Sequence, residues 1–202
     1  MKRRIISLVF ILVIFFVFSC ATTNISSFKN PDIEISTYKK ILVFGNTRDI
    51  DFRKTLEADL VNEFTSNGKN AVSRINIVSP LKEYSQSELD QIYLENGIDC
   101  IVSVTVIDAS EESSYIPQKT QINYKSQYVD GELVSVPYTT TSGGYSVSYP
   151  KASFEIVFTD VKTGELALKA TANSKGDEFS DMKTISKSLA KTIVKESLLS
   201  ED

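Results

Sequence analysis

Histidine is absent from this 202-residue sequence, as is tryptophan, and there are two cysteines. Without imidazole the chain lacks the usual general base at neutral pH and the commonest metal ligand. A Ser-His-Asp or Cys-His arrangement is excluded outright. Zinc would need thiolates, and Cys20 and Cys100 are the whole supply. Eight glycines are scattered, and Gly45, which follows an apolar run, has no partners at phosphate-loop spacing. Carboxylate chemistry is what remains on paper. Asp49 with Asp51, or Glu111 with Glu112, could pair as acid and base or collect calcium. Helix capping and solvated loops account for these acids more simply. No catalytic residue, metal or cofactor is therefore assigned, and the chain is expected not to be an enzyme.

What is present begins with Lys2, Arg3 and Arg4, followed by an apolar run from Ile5 to Phe18 and then Ser19-Cys20. A charged start, a greasy stretch too short to span a bilayer and a small residue before the break make a secretory signal over 1–19. The cysteine directly after Ser19 resembles a bacterial lipobox, which implies lipid on Cys20. An uncleaved anchor, or cleavage near Ala21, are the alternatives. Multiple acyl chains give lasting attachment where one does not. Ala21-Thr22 after the cysteine, by resemblance to proteobacterial sorting, implies a periplasm-facing outer-membrane protein; the inner membrane or the cell surface stay open.

Loss of the signal removes three cations, leaving 19 basic against 26 acidic residues, a net of −7. That balance excludes a general nucleic-acid binder. With Cys20 blocked, Cys100 has no disulfide partner; it sits in an apolar strand pattern as a small buried thiol.

Residues 20–37 are polar and aperiodic, which predicts a flexible tether after the lipidated Cys20. A single domain is expected over 38–202. Lys39 to Gly45 is a buried strand. Phe52, Leu56, Leu60, Val61 and Phe64 make one helical stripe, capped by Asp49 or Asp51 and ended by Asn67-Gly68. Ala71 to Val78 reads as a strand. Ser85 and Glu88 have capping-box spacing for a helix carrying Leu89, Ile92 and Tyr93. Ile98 to Ile107 is the central strand, covered on both faces, with Asp99 as a turn acid taking a local amide. Ala152 to Val161 and Leu166 to Ala172 are strands joined through Asp160, Thr163 and Gly164, and Ser180 to Leu199 is the last helix. The fold class is α/β (α+β): a mixed sheet of four or five strands, three helices and an inserted antiparallel β-ribbon at about 111–150.

The ribbon predicts contact. Ile122, Tyr124 and Tyr128 alternate, as do Tyr145, Val147 and Tyr149, with turns at Asp130-Gly131 and Ser142-Gly143-Gly144, the latter a second reversal. Tyrosine gives large contact area at low entropic cost, and a ribbon edge can recruit a strand. Tyr124, Tyr128, Tyr145 and Tyr149 are the candidate partner-binding residues. Alternatively they complete the sheet.

The phrases KKILVFGNTRD, ELDQIYLENGIDCIVSVTV and FEIVFTDVKTGELALKATA, with the terminal amphipathic helix, resemble a group of small bacterial envelope lipoproteins. Their fold is that of the amino-terminal domain of the Tol–Pal propeller protein, also seen in peptidoglycan-synthase activator and curli secretion lipoproteins. The resemblance covers 38–199 apart from the ribbon. It implies a non-catalytic role in contacting other envelope proteins, or self-assembly in a structural or secretion-associated setting, and it carries over no site residues. Small-ligand or carbohydrate binding is a further alternative, and oligomeric state is left open.

Overall fold

A computed structural model of the chain describes residues 21–129 and 131–198. Cys20 and the expected signal lie outside the described residues. The chain order is β1 (Thr22–Lys29), β2 (Lys40–Asn46), α1 (Ile50–Ser66), β3 (Asn70–Ser73), α2 (Gln86–Glu95), β4 (Cys100–Ile116), β5 (Lys119–Val129), β6 (Glu132–Ser142), β7 (Tyr145–Asp160), β8 (Leu166–Lys175) and α3 (Met182–Leu198). The class is mixed α+β, as expected. The main sheet has six strands, in the order β1-β8-β7-β4-β2-β3, not four or five.

The helices start where local chemistry dictates. Asp49, and not Asp51, caps α1 by accepting the amides of Asp51 and Phe52, both at 3.0 Å. Ser85 and Glu88 form the capping box of α2. Phe52, Leu56, Leu60 and Phe64 bury their stripe against the sheet beside Ile185, Leu189 and Ile193 of α3. The sheet's contribution to this layer is Ile41, Val43, Val102, Val104, Phe154, Ile156 and Phe158. Each such side chain contributes roughly 1.5–3 kcal/mol on burial. Leu42 points the other way and packs with Val78, Tyr93 and Ile98 under α2, so the parallel half of the sheet is covered on both faces.

The expected tether is the largest correction. Residues 22–29 form β1, paired antiparallel along its length with β8 from Thr22↔Lys175 to Lys29↔Leu168. A 3-10 turn over Ile35–Thr37 follows and buries Ile35. The strand escaped a hydrophobic pattern because its inward positions are Thr23, Ile25 and Ser27, two of them satisfied by hydrogen bonds. Thr23 Oγ1 lies 2.8 Å from Ser174 Oγ and 2.9 Å from Ser188 Oγ, and Ser27 Oγ donates to Glu196 at 2.6 Å.

Two further expectations change. The strand expected over Ala71 to Val78 is only Asn70–Ser73, because an edge strand pairs with β2 alone, and the chain then coils at Arg74–Asn76. The Gly143-Gly144 segment is no reversal. The register continues from Ile116↔Tyr145 to Lys119↔Ser142 and on to Val129↔Glu132, so the chain keeps its direction through both glycines.

Candidate functional site

The ribbon is not a separate graft: β4 and β7 simply run on past the sheet. Thr22, Lys175, Lys151 and Ser110 form one cross-sheet row, and beyond it the arm has two strands. Nineteen residues, Glu111 to Val129, carry it outward, a reach of about 60 Å at ~3.3 Å per residue. Its root is gripped by Lys175, whose Nζ lies 2.9 Å from Glu112 Oε2 and 5.5 Å from the Tyr149 ring centroid. Tyr149 is half-buried there. Strands β5 and β6 pack on one another and make no extensive contact with other described residues.

Pairing sorts the arm's side chains. Tyr124 stands opposite Pro137, Tyr128 opposite Leu133, Ile116 opposite Tyr145 and Glu112 opposite Tyr149. Successive side chains alternate faces, and the pairing count, the same on both sides of the 117–118/143–144 joint, puts Tyr124, Tyr128, Tyr145 and Tyr149 in one alternation class, with Ile122, Leu133 and Val147. Between Ser114 and Tyr128, and between Leu133 and Val147, this class contains no charged residue, whereas Lys119, Lys125 and Glu132 all fall in the other. Ile122, Tyr124, Tyr128, Leu133 and Tyr145 are each more than half exposed. Tyr115 and Tyr138 belong to the charged class. Tyr124, Tyr128 and Tyr145 are thus brought onto one uncharged surface, whereas Tyr149 lies at the root, opposite Glu112 and against Lys175.

The direction of the arm follows from strand polarity. Since β1, β8, β7 and β4 alternate in direction, the beginning of β1 lies at the end of the sheet from which the arm leaves.

The other acids singled out hold the fold. Asp99 Oδ2 accepts the amides of Lys39 at 2.8 Å and Lys40 at 3.2 Å, joining the starts of β2 and β4. This is a long-range tie and not the local turn expected. Asp160 Oδ1 accepts the amides of Lys162 and Thr163, both at 2.8 Å, as turn chemistry requires. Burial pulls Asp160 upward, but the bonds from the Thr163 and Lys162 amides outweigh it and leave the carboxyl below its ordinary value. The Tyr38 hydroxyl is buried without a partner in hydrogen-bond geometry. Burial, then Cys100 and Asp160, push it well up. Burial likewise holds the free Cys100 thiol protonated. A shallow cavity of about 230 Å³ lies between Tyr38, Lys39, Asp99, Asp160 and Lys162. Among the described residues no group of three or more His, Cys, Asp or Glu side chains could hold a metal, and no helix is long and apolar enough to cross a membrane.

The sequence reading missed one cluster. Arg53 and Arg74 both stack on Phe44, their Cζ atoms 5.0 and 4.2 Å from its ring centroid. Buried Glu57 receives Arg53 Nε at 3.0 Å, the Gly45 amide at 3.0 Å, the Ile75 amide at 3.2 Å and the Ser73 hydroxyl. Arg53 and Glu57 have the i,i+4 spacing of a helical ion pair, but no spacing rule ties them to Phe44, Ser73, Arg74 or Ile75, which lie on or beside β2 and β3.

No family model matches the chain, and no curated protein does. Among solved structures it is similar to the PelC dodecamer from Paraburkholderia phytofirmans, at 14% identity and a TM-score of 0.52, covering 89% of this chain and 100% of that one. A variant of the same dodecamer gives 14% identity and a TM-score of 0.51, over 87% and 98% of the two chains. The lipoprotein GNA1162 from Neisseria meningitidis gives 12% identity and a TM-score of 0.42, over 78% and 96%. At such identities the likeness to PelC is one of fold.

Proposed function

We propose that the chain is a non-catalytic, lipid-anchored envelope protein that binds a second envelope protein through the uncharged face of its β-arm. The carrying observation is that face: Tyr124, Tyr128 and Tyr145 stand exposed and unpartnered on an arm about 60 Å long. A solvated ribbon without a partner would leave this aromatic surface in water for no return. The lipobox-like Ser19-Cys20 supports attachment to a membrane, with the outer membrane as the leading choice. The phrases shared with envelope lipoproteins support an adaptor role, and the lack of histidine argues against catalysis. With Cys20 acylated, the arm leaves from the lipid-bearing end of the sheet, so the partner is a protein at or in that membrane.

The register shows where to cut. Replacing 113–148 by Asn-Gly joins the cross-strand partners Glu112 and Tyr149 by a two-residue turn and keeps the Lys175 contacts. This variant should fold, reach the membrane and lose its crosslinked partner in the native envelope. A partner adduct of unchanged yield would overturn the reading.

Self-assembly is a second reading, favoured by the fold shared with PelC, whose structure is a dodecamer. The mass of the full chain in detergent at micromolar concentration separates the two: a multiple that survives the arm replacement supports assembly through the domain.

A further inference from the structure

We infer that the crevice between Arg53, Arg74 and Lys82 is a binding site for a phosphate group. The crevice encloses about 180 Å³, and its apolar walls include Val78, Tyr84 and Leu89. Three cations line it and no acidic side chain does. Its two guanidiniums are fixed before any ligand arrives. Arg53 is held through Nε by buried Glu57, and Arg74 through Nε by the Tyr93 hydroxyl at 3.1 Å, while Phe44 supports both planes. These contacts use the inner edge of each fork. Among the described residues the Nη groups of both have no acceptor, which leaves the bidentate edges for an incoming oxyanion. Lys82 stands at the rim, 4.5 Å from the Tyr84 ring centroid and 3.4 Å from Glu88 Oε1.

Charge selects the ligand class. Glu57 pairs with Arg53 and Glu88 with Lys82, so the crevice keeps a net charge of +1 and favours an anion, while its two guanidinium forks and one ammonium offer more donors than the two oxygens of a carboxylate can answer. A phosphate ester brings nearly two charges and three strong acceptor oxygens. The location agrees with the chemistry. Arg74 follows the carboxyl end of β3 and Phe44 lies near that of β2, the edge at which open α/β sheets place ligands. Strand polarity puts this edge at the same end of the sheet as Thr22 and the arm. A phospholipid headgroup and a soluble phosphate ester are therefore both within reach, and share the chemistry.

The test follows thermal unfolding of the full chain in detergent micelles at constant ionic strength. Inorganic phosphate and glycerol 3-phosphate are titrated against chloride, and phosphatidic acid against phosphatidylcholine in the micelle. The midpoint should rise saturably with phosphate ligands. Half-saturation should move at least tenfold higher in Arg74→Gln. Because Arg74 also packs on Phe44, Lys82→Gln serves as a second variant at a side chain 59% exposed, with a several-fold weakening expected. A stronger response to phosphatidic acid assigns the headgroup, and a stronger one to glycerol 3-phosphate the soluble ester. No saturable response to any of them, or variants that respond like the wild type, overturns the site.

Discussion

Gly143 packs so tightly against Pro117 across the arm that a Cβ at Gly143 would collide with the Pro117 carbonyl oxygen. Its φ of +84° belongs to glycine as well. The arm passes from β4/β7 to β5/β6 at this point, stitched by the Gly144 amide to the Ile116 carbonyl at 2.8 Å. Gly143→Ala should therefore disturb the outer arm and spare the domain. Hydrogen exchange should quicken at 119–142 while 152–158 keeps its protection; equal effects in both segments would contradict a local joint.

Phe158 meets Phe64 of α1 edge-on, with ring centroids 6.4 Å apart, and both are fully buried. Phe158→Ala should lower the unfolding free energy by about 3–5 kcal/mol in denaturant titration. Tyr128→Ala, at an exposed arm position, should change it by less than about 0.5 kcal/mol. This contrast separates residues kept for the core from residues kept for contact.

How much of this was legible in the sequence depended on what faced the core. Ile41, Val43, Val102, Val104 and the Phe52–Phe64 stripe advertise themselves, because apolar residues recur with the period of their element. Thr23 and Ser27 do not, since hydrogen bonds to Ser174, Ser188 and Glu196 replace apolar burial there. β1 therefore shows the polar, aperiodic composition of a tether. Gly143-Gly144 has the composition of a turn, and only the pairings on either side, Ile116 with Tyr145 and Lys119 with Ser142, show that the chain does not reverse there. The four tyrosines were visible by alternation, but the charge-free face shared by Tyr124, Tyr128 and Tyr145 needed the register. Arg53 and Arg74 lie on different elements, so their convergence on Phe44 carries no sequence signal.

Glu57 is a buried anchor for four donors at the carboxyl end of β2. Truncation to Ala leaves Arg53 and the Gly45 and Ile75 amides without that acceptor. Glu57→Ala should cost about 3–5 kcal/mol in equilibrium unfolding. A loss below about 1 kcal/mol would show that water replaces the carboxylate.

Asp181 precedes α3 and accepts the Thr184 amide and hydroxyl, both at 2.8 Å. These bonds, the amide first, hold its carboxyl below the ordinary 3.8. Its contribution is therefore complete above the ordinary value and fades as the pH falls through the lower folded one. Asp181→Ala should cost about 1 kcal/mol at pH 7. In chemical denaturation that gap should narrow below about pH 4; a gap constant to pH 2 would contradict the assignment.

Attachment through Cys20 predicts palmitate labelling of the wild type and none of Cys20→Ala. Label kept by the variant, or missing from both, would remove the anchor.

The central claim is that the charge-free face of the arm meets a different protein at the membrane. The most direct measurement places a photo-crosslinking side chain at Tyr128 and, as control, at Thr171 on the open face of β8, in cells carrying the full chain. The account predicts one discrete heterologous adduct from position 128, absent from 171 and weakened by Tyr124→Ser. Adducts from 128 that contain only lipid or a second copy of this chain, or equal adducts from both positions, would contradict it.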